Sequence, residues 1–226
     1  MDRAAVLERF AGLVAAADLQ QSLVFRLCDA GRELAGGLGS SISIHSDDAG
    51  NRMTLAATDR VAAQLESLQD VLGEGPCHDA CLLNEPVVAD LRHADSRTWP
   101  VFAQSAVEAA GGITLHCFPM RPAGHPFGVY SIYTEHGLSE PADIVQFLAD
   151  AIGAAVLDDA AAGELHGPWT ARSVVHLATG MAAVQLRVSP EDALALMRAH
   201  AFAHDATVHQ IAERIVNRTL DFRDST

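Results

Sequence analysis

Two rhythms of apolar residues run through this chain. Residues 3–16 and the stretch from Leu19 to Leu34 carry them at helical spacing, with Leu19, Leu23, Leu27 and Leu34 near one side. Gly36-Gly37 and Gly39 stop the second helix. The period then drops to two. In residues 40–46, Ile42 and Ile44 alternate with serines, which predicts a half-buried strand. Residues 47–51 are turn chemistry, and Met53 to Thr58 reads as the returning strand. A helix from Arg60 to about Val71 ends at Gly73. A short strand over 85–89, a helix from Trp99 to Ala110, strands Ile113–Met120 and Phe127–Thr134, and a long helix from about Glu140 to Leu157 follow. This order predicts an α+β domain, an antiparallel sheet covered by helices.

From Thr170 to Leu220 only the helical period remains, in three segments. The first places Val174, Leu177, Ala178, Met181 and Val184 on one expected buried face, with Arg172, His176, Thr179, Ala183 and Arg187 opposite. Ser189-Pro190-Glu191-Asp192 starts the second helix: serine caps, proline suits the first position, and the acids favour the positive end. Thr207 and Gln210 form a capping box for the third, whose stripe is Val208, Ile211, Ala212 and Ile215. Each helix is too short to stand without packing on the others. Residues 159–169, with Gly163 and Gly167-Pro168, read as a linker, giving domains 1–158 and 170–226.

Composition sharpens this picture. A hydrophobic content of 49% supports a real core, no apolar run is long enough to span a membrane, and residues 1–14 mix acids with apolar residues, unlike a signal peptide. A cytoplasmic protein with four reduced cysteines is the expectation. The chain has no lysine. Residues 1–169 hold nine arginines against 23 acids, whereas residues 170–226 hold six of each. A neutral C-terminal module makes few phosphate contacts, so any nucleic-acid binding rests on a few placed arginines and base contacts.

The run VVHLATGM (174–181), then SPEDA (189–193), LMRAHAF (196–202) and IAERIV (211–216) resembles the ANTAR module, a three-helix RNA-binding output domain of bacterial antitermination regulators. Many members carry Ala-Lys-Gly where this chain has Ala178-Thr179-Gly180. Upstream, GEGPCHDACLLNEPVVADL (73–91), Trp99-Pro100, a strand ending at Pro119 and GVYSIYT (128–134) resemble a GAF domain over about residues 19–158. The Asn-Lys-Phe-Asp-Glu signature of cyclic-nucleotide-binding GAF domains is absent. The resemblance implies a small-molecule or redox sensor that controls an RNA stem-loop reader, with no catalysis and no cofactor. Arg172, His176, Thr179, Gly180, Arg187 and Arg198 are the candidate RNA contacts, because arginine stacks on unpaired bases and forks onto phosphate or guanine. Gly180 costs about 1 kcal/mol against alanine inside a helix, which asks for close packing or close approach of an RNA backbone.

Cys77, Cys81 and Cys117 are the candidate redox or sensor thiols. Should Pro76 open a helix, Cys77 sits in its first turn, where the dipole favours a thiolate; structural burial is the competing reading. No second well-spaced pair supports a metal site, and the eleven histidines read as isolated surface residues. Two rivals remain: a thiol-dependent reductase resembling free-methionine-sulfoxide reductase, and a DNA-binding helix-turn-helix built from the last two helices. The stripe Ile144, Phe147, Leu148, Ala151, Ile152, Ala155 and Val156, beside Asp143, predicts a homodimer through the long helix and the amino-terminal helices, suited to paired hairpins.

Overall fold

Ser22 Oγ accepts the Phe25 amide at 3.2 Å and starts a helix at Leu23, so the second helix begins four residues later than its apolar pattern suggests. Leu19 lies in the preceding turn, 75% exposed. The computed structural model describes residues 2–45, 52–93, 98–122, 124–161 and 166–222; the turn expected at 47–51 and Gly163 lie outside them.

Five strands form one antiparallel sheet: β1 (Gly39–His45), β2 (Arg52–Ala57), β3 (Val87–Asp90), β4 (Thr114–Met120) and β5 (Gly128–Thr134), in the order β2-β1-β5-β4-β3. Helices α1 (Arg3–Ala16), α2 (Leu23–Ala35) and α6 (Ala142–Ala161) cover one face, burying Ile42, Ile44, Phe118, Met120, Tyr130 and Ile132. Helices α3 (Arg60–Leu72), α4 (Pro76–Leu83) and α5 (Pro100–Ala110) cover the other over Leu115, Cys117, Val129 and Tyr133.

This double cover corrects the reading of β1 as half-buried. Its serines Ser40, Ser41 and Ser43 are as buried as its isoleucines. A central strand between two helical layers has no wet face, so its polar side chains must find partners inside. The stripe on α6 is likewise used within the chain: Ile144, Leu148, Ile152 and Val156 are buried, and the Arg3 guanidinium lies 5.0 Å from the centre of the partly buried Phe147 ring.

The C-terminal module is α7 (His166–Leu186), α8 (Pro190–Ala203) and α9 (Val208–Val216). Its caps are those the sequence announces. Ser189 Oγ accepts the Asp192 amide at 3.1 Å, and Thr207 and Gln210 exchange hydrogen bonds of 3.1 and 2.9 Å. Gly167-Pro168 falls in the first turn of α7, where a missing amide costs nothing. The buried face of α7 differs from the expected one. Leu177 and Val184 are exposed, 56% and 79%, while Ala178, Thr179 and Ala182 are buried. The small residues let α8 and α9 approach closely, and Leu194, Met197, Ile211 and Ile215 fill the space between. Val71, at the end of α3, completes this module's core. Among the described residues, no helix is long and apolar enough to cross a membrane.

Candidate nucleic-acid interface and sensor interior

Helix α3 builds the sensor interior. Its face Ala62, Leu65, Glu66, Gln69 follows helical spacing toward the sheet, and two of those four side chains are polar. Glu66 meets Arg52 of β2 in an ion pair whose side chains are 2% and 1% exposed. Glu66 Oε1 also accepts from Ser41 Oγ at 2.8 Å and Ser131 Oγ at 3.0 Å, and Arg52 Nη2 donates to Ser43 Oγ at 2.9 Å. Burial alone would raise the Glu66 carboxyl; Arg52 and the two hydroxyls reverse this and hold it below the usual carboxylate range.

Pro76 opens α4, as the sequence suggests, and Cys77 in its first turn is fully buried. The Cys77 amide donates to Gln69 Oε1 at 2.7 Å, and Gln69 Nε2 donates to Cys77 Sγ at 3.2 Å. Cys77 Sγ and Cys117 Sγ stand 3.2 Å apart; Cys81 is only partly buried and packs against the same core. Burial, then the bond to Cys77, pushes the Cys117 thiol well above its ordinary pKa. The two thiols lie side by side in the buried core. At the rim, His78 Nε2 bonds the Gln69 carbonyl oxygen at 3.0 Å, and the His45 and His78 rings meet edge to face at 5.9 Å. Burial pushes both imidazoles down, to about 3 for His45 and about 4 for His78, with the Arg52 charge adding to it.

On the module, the structure separates the candidate RNA contacts. His176 and Gly180 share an open groove of about 690 Å³ with Leu177, Met181, Val184 and Arg218. Nothing lies within 4 Å of a Cβ built at Gly180, so close helix packing does not account for this glycine. Arg187, exposed with φ 57°, is the left-handed residue that closes α7. Thr179 does not belong to the open face: it is 8% exposed, and its hydroxyl donates to the Val175 carbonyl oxygen at 2.8 Å. A residue of this size and polarity can turn inward. Arg198 is half-buried on the far side of the module, against the C-terminal end of α3. The Arg172 side chain lies outside the described residues. Arg218, with φ 58°, joins the groove from beyond α9 together with Leu220 and Asp221.

A sheet wrapped by helices on both faces is the fold of GAF domains. The GAF domain of an Acinetobacter phosphoenolpyruvate-protein phosphotransferase is 13% identical, matches with a TM-score of 0.51, and covers 73% of this chain and 99% of that one. The corresponding Coxiella burnetii domain is 17% identical with a TM-score of 0.50, covering 73% and 98%. The ANTAR domain model matches residues 164–216. The chain therefore combines a GAF-fold domain with an ANTAR domain over residues 164–216. No curated protein matches the sequence.

Proposed function

We propose that this protein is a non-enzymatic, cytoplasmic antitermination regulator. Its ANTAR module binds RNA stem-loops, and its GAF-fold domain sets the module's availability in response to a small molecule or to the redox state of Cys77 and Cys117. The observation that carries the reading is the groove around His176 and Gly180. A helix whose glycine meets nothing and whose leucine and valine stand in water offers an apolar floor to unpaired bases, with Arg218 at its edge. Arg172 and Arg187 supply further cationic contacts in this reading. The protein works as a homodimer, each copy reading one of two paired hairpins.

The test is a titration of the full chain against paired RNA hairpins and against duplex DNA of equal length. Preferential hairpin binding, weakened by Gly180→Glu at unchanged melting temperature, supports the reading. Preference for duplex DNA assigns α8 and α9 to a helix-turn-helix instead, and turnover of an oxidised small molecule favours a reductase.

A further inference from the structure

The groove on α7 has a second wall, and the chain beyond α9 supplies it. Helix α9 closes in a left-handed turn. The Arg218 amide donates to the Ile215 carbonyl oxygen at 3.0 Å, and the Thr219 and Leu220 amides donate to that of Arg214 at 2.8 and 3.1 Å. The left-handed position of such a cap ordinarily falls to glycine, which has no Cβ to clash there. Arginine occupies it here, with φ 58°. The turn brings the chain back to α7. Leu220 is buried in the module's core, the Phe222 amide donates to Gln185 Oε1 of α7 at 3.4 Å, and the Phe222 and His200 rings meet edge to face at 5.3 Å. The return is fastened on both sides of Arg218. It lies past residue 216, where the match to the ANTAR model ends.

This second wall changes the chemistry of the groove. Helix α7 alone offers Leu177, Met181 and Val184 beside an open Gly180. The return adds Leu220 to the apolar lining, and it adds Arg218 and Asp221, one charge of each sign. An apolar slot whose two formal charges cancel is poorly matched to phosphate, which calls for an excess of positive charge. It suits a neutral planar heterocycle, apolar on its faces and carrying donors and acceptors at its edge. A guanidinium stacks on such a face.

We propose that the C-terminal return is the base-selecting wall of the RNA site. An unpaired loop base enters between α7 and residues 218–221 and stacks on Arg218, while the phosphates run past Arg172 and Arg187 outside the slot. The proposal rests on the RNA-binding reading above and names the part of the RNA that this groove takes. It also gives the left-handed arginine a use that glycine would not serve.

The experiment compares the full wild-type chain with Arg218→Gly, which suits the left-handed backbone, and Arg218→Lys, which keeps the charge without the flat face. The probe is a paired-hairpin RNA retained by the wild-type chain from a pool with randomised loops. Derivatives of it carry an abasic site at one loop position at a time. Wild type is expected to lose about ten-fold in affinity when one particular base is removed, the scale of a single stacked base. Arg218→Gly is expected to lose about ten-fold on the intact RNA, little more on that abasic RNA, and nothing in its salt slope. Arg218→Lys is expected to recover at most a small part of the loss. Losses that multiply on the abasic RNA, or a lysine variant that binds like wild type, overturn the base slot and leave RNA binding standing. So do an affinity unmoved by Arg218→Gly, a wild type indifferent to every abasic site, and a salt slope lowered by about one, the mark of a lost phosphate contact. A pool from which the wild-type chain retains no RNA overturns the RNA reading itself, and the slot with it.

Discussion

Gln69 and Cys77 hold each other from adjoining helices: the Cys77 amide donates to Gln69 Oε1 at 2.7 Å while Gln69 Nε2 donates to Cys77 Sγ at 3.2 Å. Helix α4 begins on Pro76 with Gly75 at φ 138°, and a Cβ there would come 2.5 Å from Gln69 Cγ. One glutamine side chain thus satisfies an amide at the buried head of α4 and fixes the turn before it. Gln69→Leu, which fills the space but accepts nothing, is expected to cost about 1–3 kcal/mol, the penalty of a buried unsatisfied donor. Urea denaturation reads this, and a midpoint equal to wild type contradicts it.

The Arg52–Glu66 pair behaves differently under single and double replacement. Glu66→Ala leaves a buried guanidinium without its carboxylate and is expected to cost about 3–5 kcal/mol. Arg52→Met with Glu66→Leu removes both charges and recovers a large part of that loss, although Ser43 loses its partner and Ser41 and Ser131 keep only each other. A double variant no more stable than Glu66→Ala contradicts this account.

The pH dependence follows from His45 and His78. Their folded pKa values, about 3 and about 4, lie below the ordinary 6.5, so the unfolded chain takes up protons that the folded chain refuses. Their contribution to stability is present above pH 6.5 and is lost as pH falls toward 4. Asp70 has the opposite sign: raised to about 6, it binds a proton in the folded chain first and offsets part of the loss. The urea midpoint is expected to be lower at pH 5 than at pH 7.5, and the difference to shrink in a His45→Asn/His78→Gln chain. An equal difference in that chain contradicts the assignment.

Thiol labelling separates the four cysteines. Cys28, Cys77 and Cys117 are fully buried and Cys81 is partly so. Burial pushes Cys28 up to about 12 and Cys117 well above its ordinary value. A small disulfide reagent at pH 7.5 is expected to label Cys81 first and the others only on opening of the domain. Equally fast labelling of Cys117 contradicts the burial that the structure gives it.

Much of this fold is written in local signals. Pro76, Ser189 and the Thr207–Gln210 box mark helix starts, and Gly36, Gly73 and Gly111 mark ends. The face of α7 was not legible in this way. Apolar residues surround that helix, so periodicity does not choose between a Leu177–Val184 face and an Ala178–Ala182 face; packing against α8 and α9 chooses the small one. The ion pair was hidden for another reason, since nothing local joins Arg52 to Glu66. A signal existed nonetheless: Glu66 and Gln69 fall on the same stripe as Ala62 and Leu65, and a charge on a buried stripe requires a buried partner. Nothing local on α8 announces the half-burial of Arg198; the turn that covers it belongs to α3.

The central claim is that an electrically neutral module reads RNA hairpins through a few arginines and an apolar groove. It is tested most directly by titrating the full chain with paired hairpins and with duplex DNA of equal length, each over a salt series. The account predicts preferential hairpin binding, with a shallow fall of log affinity against log salt corresponding to about two or three phosphate contacts. Equal affinity for duplex DNA, or a slope as steep as that of a protein neutralising about eight phosphates, would contradict it.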